Sequence, residues 1–136
     1  MPQHRVLIID DNDLNIQLAT FVLSQAEFTI DCAADATLGL AKITECRPDV
    51  ILMDIQMPGV DGLTLTRRLK ADPATRHIVV VAFTAYAMKG DEAKMRAAGC
   101  DGYIAKPIDV ATFAQKVRSY LAAEANAGAP GIESIP

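Results

Sequence analysis

Asp10, Asp11, Asp54, Thr84 and Lys106 are the residues whose types and placing could do chemistry together. Each stands at the end of a short apolar run. Residues 6–9 precede Asp10 and Asp11, 50–53 precede Asp54, 78–83 precede Thr84, and 103–105 precede Lys106. Taken alone, an aspartate there is a loop or helix-cap residue, and Asp11 or Asn12 could simply cap the helix that follows. A lone threonine or a solvated lysine means nothing. Together they form a set: three carboxylates, a hydroxyl and an ammonium, each after a run without charge. Carboxylates brought this close repel one another. A hard cation relieves that, and Mg²⁺ takes oxygen ligands while keeping waters and sharing a phosphate. Lys106 and the cation would neutralise charge developing on phosphoryl oxygens, and Thr84 would donate a hydrogen bond to one of them. A remaining carboxylate could act as nucleophile and form an acyl phosphate. Asp54 is the candidate, because its strand is central.

The runs at 6–9, 50–53 and 78–83 are continuous and β-branched, as strands covered on both faces are. The stretch 28–32 alternates like an edge strand, and 103–105 makes a short fifth strand. Helical stretches lie between them, at 37–45, 63–70 and 92–98, the last stopped by Gly99. Leu14, Leu18, Phe21 and Val22 have the spacing of one buried helix face. Val110, Phe113, Ala114, Val117 and Leu121 form another apolar stripe. Five alternating strand–helix units predict a parallel sheet with helices on both faces. In such a sheet the carboxyl ends of all strands share one edge, where ligands bind.

The chain has 136 residues, one domain's worth, with 51% hydrophobic and 22% charged residues. That composition excludes disorder of the whole chain. The net charge of −4 argues against an electrostatic grip on nucleic acid. No apolar run is long enough for a secretory signal or a membrane span, so a cytoplasmic protein is expected. Cys32, Cys46 and Cys100 lack CxxC spacing and read as reduced thiols. His4 and His77 precede strands and read as surface residues.

The motifs Ile9-Asp10-Asp11-Asn12, Met53-Asp54-Ile55-Gln56-Met57-Pro58-Gly59-Val60-Asp61-Gly62, Phe83-Thr84-Ala85 and Ala105-Lys106-Pro107 resemble the receiver domain of two-component response regulators. The resemblance covers residues 5–121. The stretch from Thr84 to Asp91 looks most like DivK-type single-domain receivers, and also resembles receivers of hybrid histidine kinases. It implies a flavodoxin-like (βα)5 doubly wound sandwich, its parallel five-stranded sheet in the order 2-1-3-4-5. The receiver would span residues 1–122 and a flexible tail 123–136. It implies a CheY-like phosphorelay protein whose Asp54 takes a phosphoryl group from a phosphohistidine of a histidine kinase or histidine phosphotransfer protein.

By the same resemblance Asp10, Asp11, Asp54 and the backbone carbonyl of Gln56 would hold Mg²⁺. Thr84, the backbone N–H of Ala85, and Lys106 would bind the phosphoryl oxygens. The Lys106–Pro107 peptide would be cis, and Pro58 and Gly59 to Gly62 would turn the chain after the third strand. Tyr103 matches the switch aromatic, turning inward as Thr84 moves to the phosphate. Gln56 and Tyr86 would govern water's access to the acyl phosphate. Such a protein is not a turnover enzyme, since it acts on itself. No output domain is expected after Leu121. Signalling would therefore run through protein contact on the fourth helix, fifth strand and fifth helix, by a monomer or weak dimer.

Other functions fit the residues less well. An aspartyl-phosphate phosphatase of the haloacid dehalogenase type carries a second Asp two residues after its nucleophile, where this chain has Gln56. A flavodoxin-like cofactor carrier needs a phosphate-cradling loop after the first strand, and Asp10-Asp11-Asn12-Asp13 would repel phosphate. A phosphorylation-independent binding module would have no need of the five site residues.

Overall fold

The computed structural model describes residues 4–55, 61–85 and 89–128. Five strands, β1 (Arg5–Ile9), β2 (Thr29–Ala33), β3 (Val50–Met53), β4 (Val79–Thr84) and β5 (Gly102–Ala105), alternate with five helices. These are α1 (Asp13–Gln25), α2 (Ala36–Cys46), α3 (Gly62–Ala71), α4 (Lys89–Ala98) and α5 (Phe113–Gly128). All strand pairings are parallel, in the order β2-β1-β3-β4-β5. The expected doubly wound sheet is present, with the alternating 28–32 stretch supplying β2 at its edge.

The period of two along each strand divides the core into layers. Val6, Ile8, Val50, Leu52, Val79, Val81 and Phe83 face α1 and α5, packing with Ala19, Val22, Leu23, Phe113 and Val117. Leu7, Ile9, Ile51, Met53, Val80 and Ala82 face the other way, onto Ile43, Leu65, Leu69 and Met95 of the remaining helices. Both layers are buried, which is why the central runs carry no polar alternation. Burying one such Leu or Ile side chain contributes about 1.5–3 kcal/mol.

Side chains fix where helices start. Asn12 accepts from the backbone N–H of Asn15, Asp35 from Leu38, and Asp61 from Thr64, satisfying N–H groups that the first helical turn leaves unpaired. Gly99, at φ 106°, ends α4 where a side chain would be strained. At the amino-terminal edge of the sheet the Lys70 ammonium donates to the carbonyls of Arg76 and Ile78 and to Asp101. The same Asp101 oxygen accepts from the backbone N–H of Val80. This clamp ties the end of α3 to the starts of β4 and β5.

Three expectations change. On α1, Val22 is buried as expected, but Leu14, Leu18 and Phe21 are exposed; the inward residues are Ala19, Val22 and Leu23, with Ile16 beside them. Val110 is exposed and lies in the turn before α5, so the apolar stripe begins at Phe113. Finally, α5 runs on to Gly128, past the expected start of a tail, because its alanine-rich end has high helix propensity. Residues 129–136 lie outside the described residues. Among those described, no helix is long and apolar enough to cross a membrane. Cys32, Cys46 and Cys100 are free thiols, and His4 and His77 are exposed.

Candidate functional site

The backbone ladders run one rung beyond the strands and carry the polar residues with them. The N–H of Asp10 donates to the Ala33 carbonyl, that of Asp54 to Ile9, and that of Lys106 to Thr84. Ile9 and Met53 are register partners, so Asp10 and Asp54 follow on neighbouring strands. Thr84 pairs with Ala105, which places Lys106 next to it. Residues remote in sequence therefore meet because parallel pairing aligns the carboxyl ends of their strands.

Asp10 is wholly buried, Asp54 nearly so, and Asp11 exposed; one carboxylate oxygen from each lies within 4.8 Å of the others. The Lys106 ammonium is 2.7 Å from Asp10 Oδ2 and 3.6 Å from Asp54 Oδ1. Asp10 Oδ2 nonetheless makes no aligned hydrogen bond among the described residues, so its contact with Lys106 is an ion pair without hydrogen-bond direction. The other oxygen, Oδ1, accepts from the backbone N–H of Asn12 and is fixed by it. Lys106 also lies over the ring of Phe83, 4.9 Å from the centroid.

The donor set suits a hard divalent cation. All three side chains offer oxygen, one buried oxygen lacks a directed partner among the described residues, and three carboxylates against one ammonium leave two negative charges to cancel. Thr84 is buried at the end of β4, and Ala85, which follows it, is exposed. Tyr103 is partly buried against the layer facing α2, α3 and α4, and its carbonyl accepts from the Tyr120 hydroxyl at 3.0 Å. The Lys106–Pro107 peptide is cis, as expected. Gln56, the turn residues Pro58 to Val60, and Tyr86 lie outside the described residues.

Two contacts at this site have no counterpart in the sequence reading. Gly62, expected only as a turn residue, packs its Cα against the Asp54 carbonyl. Phe83 looks like any core residue of a buried strand, and no signal in a single sequence separates a ring beneath a lysine from a ring beneath a leucine.

The model of the response regulator receiver domain matches residues 6–118. The chain belongs to the response regulator receiver domain family. Among curated relatives, this receiver is 45% identical over 116 residues to the polar-differentiation response regulator DivK of Brucella anthropi, covering 85% of this chain and 94% of the relative. The DivK of Brucella ovis is 44% identical over the same shares. Among solved structures, a putative response regulator from Chloroflexus aurantiacus superposes with a TM-score of 0.84 at 30% identity, covering 89% of this chain and 99% of the other. The receiver domain of a sensor histidine kinase from Pseudomonas aeruginosa, with a magnesium ion coordinated in its active-site cleft, gives 0.80 at 27% identity over the same shares. The receiver is thus a DivK-like, CheY-like component of two-component signalling.

Proposed function

We propose that Asp54 accepts a phosphoryl group from a phosphohistidine of a histidine kinase or phosphotransfer protein, in a Mg²⁺-dependent reaction that changes which proteins the receiver binds. One observation carries this reading. The nearly buried Asp54 carboxylate shares a pocket with Asp10 and Asp11 and has an ammonium 3.6 Å away. A structural aspartate has no need of two further carboxylates beside it, since their repulsion costs stability.

Asp10, Asp11 and Asp54 would hold the ion, with the backbone carbonyl of Gln56. When bound, the ion offsets negative charge on the carboxylates and on the phosphoryl oxygens. An Asp54 carboxylate oxygen attacks phosphorus, the phosphorus–nitrogen bond of the phosphohistidine breaks, and its electron pair leaves with the imidazole. Lys106, held between Asp10 and Asp54, stabilises charge on the transferring group. Thr84 and the N–H of Ala85 donate to its remaining oxygens. The burial of Asp54 limits the water that reaches the acyl phosphate. In this reading the protein acts on itself rather than turning over a substrate. Movement of Thr84 and Tyr103 reshapes the surface of α4, β5 and α5, where a downstream protein binds. The protein works in the cytoplasm.

The test is incubation with Mg²⁺ and acetyl phosphate, followed by intact-mass and peptide analysis. A gain of one phosphoryl group on Asp54, lost in Asp54→Asn and in the absence of Mg²⁺, supports the reading. No gain, and no spectral change with beryllium fluoride, would leave a phosphorylation-independent binding module.

A further inference from the structure

Lys106 has two kinds of neighbour, and only one of them is charged. Its ammonium meets Asp10 and Asp54, and it also lies over the ring of Phe83, 4.9 Å from the centroid. That ring cannot readily turn away. Phe83 is 1% exposed and stacks on Phe113, the first residue of α5, with centroids 5.9 Å apart and planes at 27°. Lys106 itself is 11% exposed, so little water competes for the ammonium. A partly dry cation over an aromatic face is drawn to the ring's negative quadrupole.

We infer that Phe83 is a positioning residue: its ring, backed by Phe113, holds the Lys106 ammonium in line with Asp54. The inference rests on the phosphoryl-accepting role of that pocket. A lysine side chain has a flexible four-carbon stem and three N–H donors. Held by carboxylates alone, it would follow whichever carboxylate binds it best, and in this pocket that is Asp10, at 2.7 Å against 3.6 Å for Asp54. A ring attracts the charge without taking up a directed N–H bond. The donors stay available to Asp54 and to incoming phosphoryl oxygens, and the stem stays put while the charge around it changes. An aliphatic residue of similar size would fill the same space in the core but exert no such pull.

The test separates the ring's electrons from its bulk. Phenylalanine at position 83 is replaced by ring analogues with one, two and three fluorines, which weaken the negative face stepwise and barely alter shape. The rate of phosphorylation by acetyl phosphate at saturating Mg²⁺ is expected to fall with each fluorine, reaching about fivefold or more for the trifluoro ring. Mg²⁺ affinity should stay within about twofold. A rate independent of fluorine count overturns the inference. A second measurement does not need phosphorylation. In the metal-free protein the ε-methylene protons of Lys106 should be shifted upfield by the ring, and Phe83→Leu should abolish that shift. Ordinary lysine shifts in the unaltered protein overturn the inference by themselves. If the unaltered protein takes no phosphoryl group, the functional reading fails while the proton shifts still decide whether the ring holds the ammonium.

Discussion

Gly62 lies so close to Asp54 that a β-carbon on it would fall 2.2 Å from the Asp54 carbonyl oxygen and 2.9 Å from the Met53 side chain. The first turn of α3 is pressed onto the backbone that carries the candidate phosphoacceptor, and the carbonyl cannot move without taking the carboxylate with it. Gly62→Ala is therefore expected to cost about 1–3 kcal/mol in urea unfolding. Its rate of phosphorylation, corrected for the folded fraction, should fall as well. A variant that loses stability but accepts phosphate at the normal rate would show that α3 yields and Asp54 stays.

Lys106 neutralises a carboxylate that water cannot reach. Lys106→Met leaves Asp10 buried without its cation and should destabilise the metal-free protein by about 3 kcal/mol. Saturating Mg²⁺ should recover a large part of that loss, because the ion binds only the folded pocket. Urea titrations with and without Mg²⁺ check both halves of the expectation.

Metal removal has its own signature. At a Mg²⁺ concentration about a hundredfold above its dissociation constant, the native protein should gain about 2.7 kcal/mol over the chelated form. Asp11→Ala, at the exposed corner of the acid cluster, should lose most of that gain while the metal-free stability changes little. Thermal unfolding in Mg²⁺ and in EDTA measures the difference.

The polar pocket was legible because each of its members interrupts an apolar run, and a parallel sheet gathers such interruptions at one edge. The inward face of α1 was not. Leu14, Leu18, Phe21 and Val22 match a helical face, but so do Ile16, Ala19 and Leu23, and spacing cannot choose between two apolar stripes on one helix. The choice is made by the sheet, against which Ala19 and Leu23 pack with no exposure. The close approach of Gly62 to Asp54 depends on how α3 sits on β3, and local sequence holds no record of that. Likewise, the alanines after Leu121 look featureless by period yet carry the helix on to Gly128.

That difference on α1 can be measured. Phe21→Ser and Leu14→Ser should leave stability within about 0.5 kcal/mol, as substitutions at exposed positions do. Leu23→Ala should cost about 2–5 kcal/mol. Equal losses for Phe21 and Leu23 would restore the stripe expected from spacing.

Burial pushes the Cys100 thiol above its ordinary range, against a hydrogen bond with Thr66 that lowers it. Cys46 is raised too, first by burial and then by its hydrogen bond with Asp31. A raised folded-state value means that the folded protein keeps its proton when the unfolded chain releases it. The resulting stability is fully present below the unfolded thiol value of about 8.5 and is lost as pH climbs through the folded value. Unfolding free energy should thus decline above about pH 8.5, with a shallower slope in Cys100→Ala. In the native protein at pH 8, iodoacetamide should label exposed Cys32 well before Cys100.

The clamp made by Lys70 and Asp101 has a mechanical consequence. It pins β4 and β5 where they begin, whereas their far ends stop at Thr84 and Ala105, the latter just before Lys106, among the charges. Two rods bolted at the base and loaded at the tip deflect at the tip. A shift of the tips would therefore leave the clamped starts of both strands where they are.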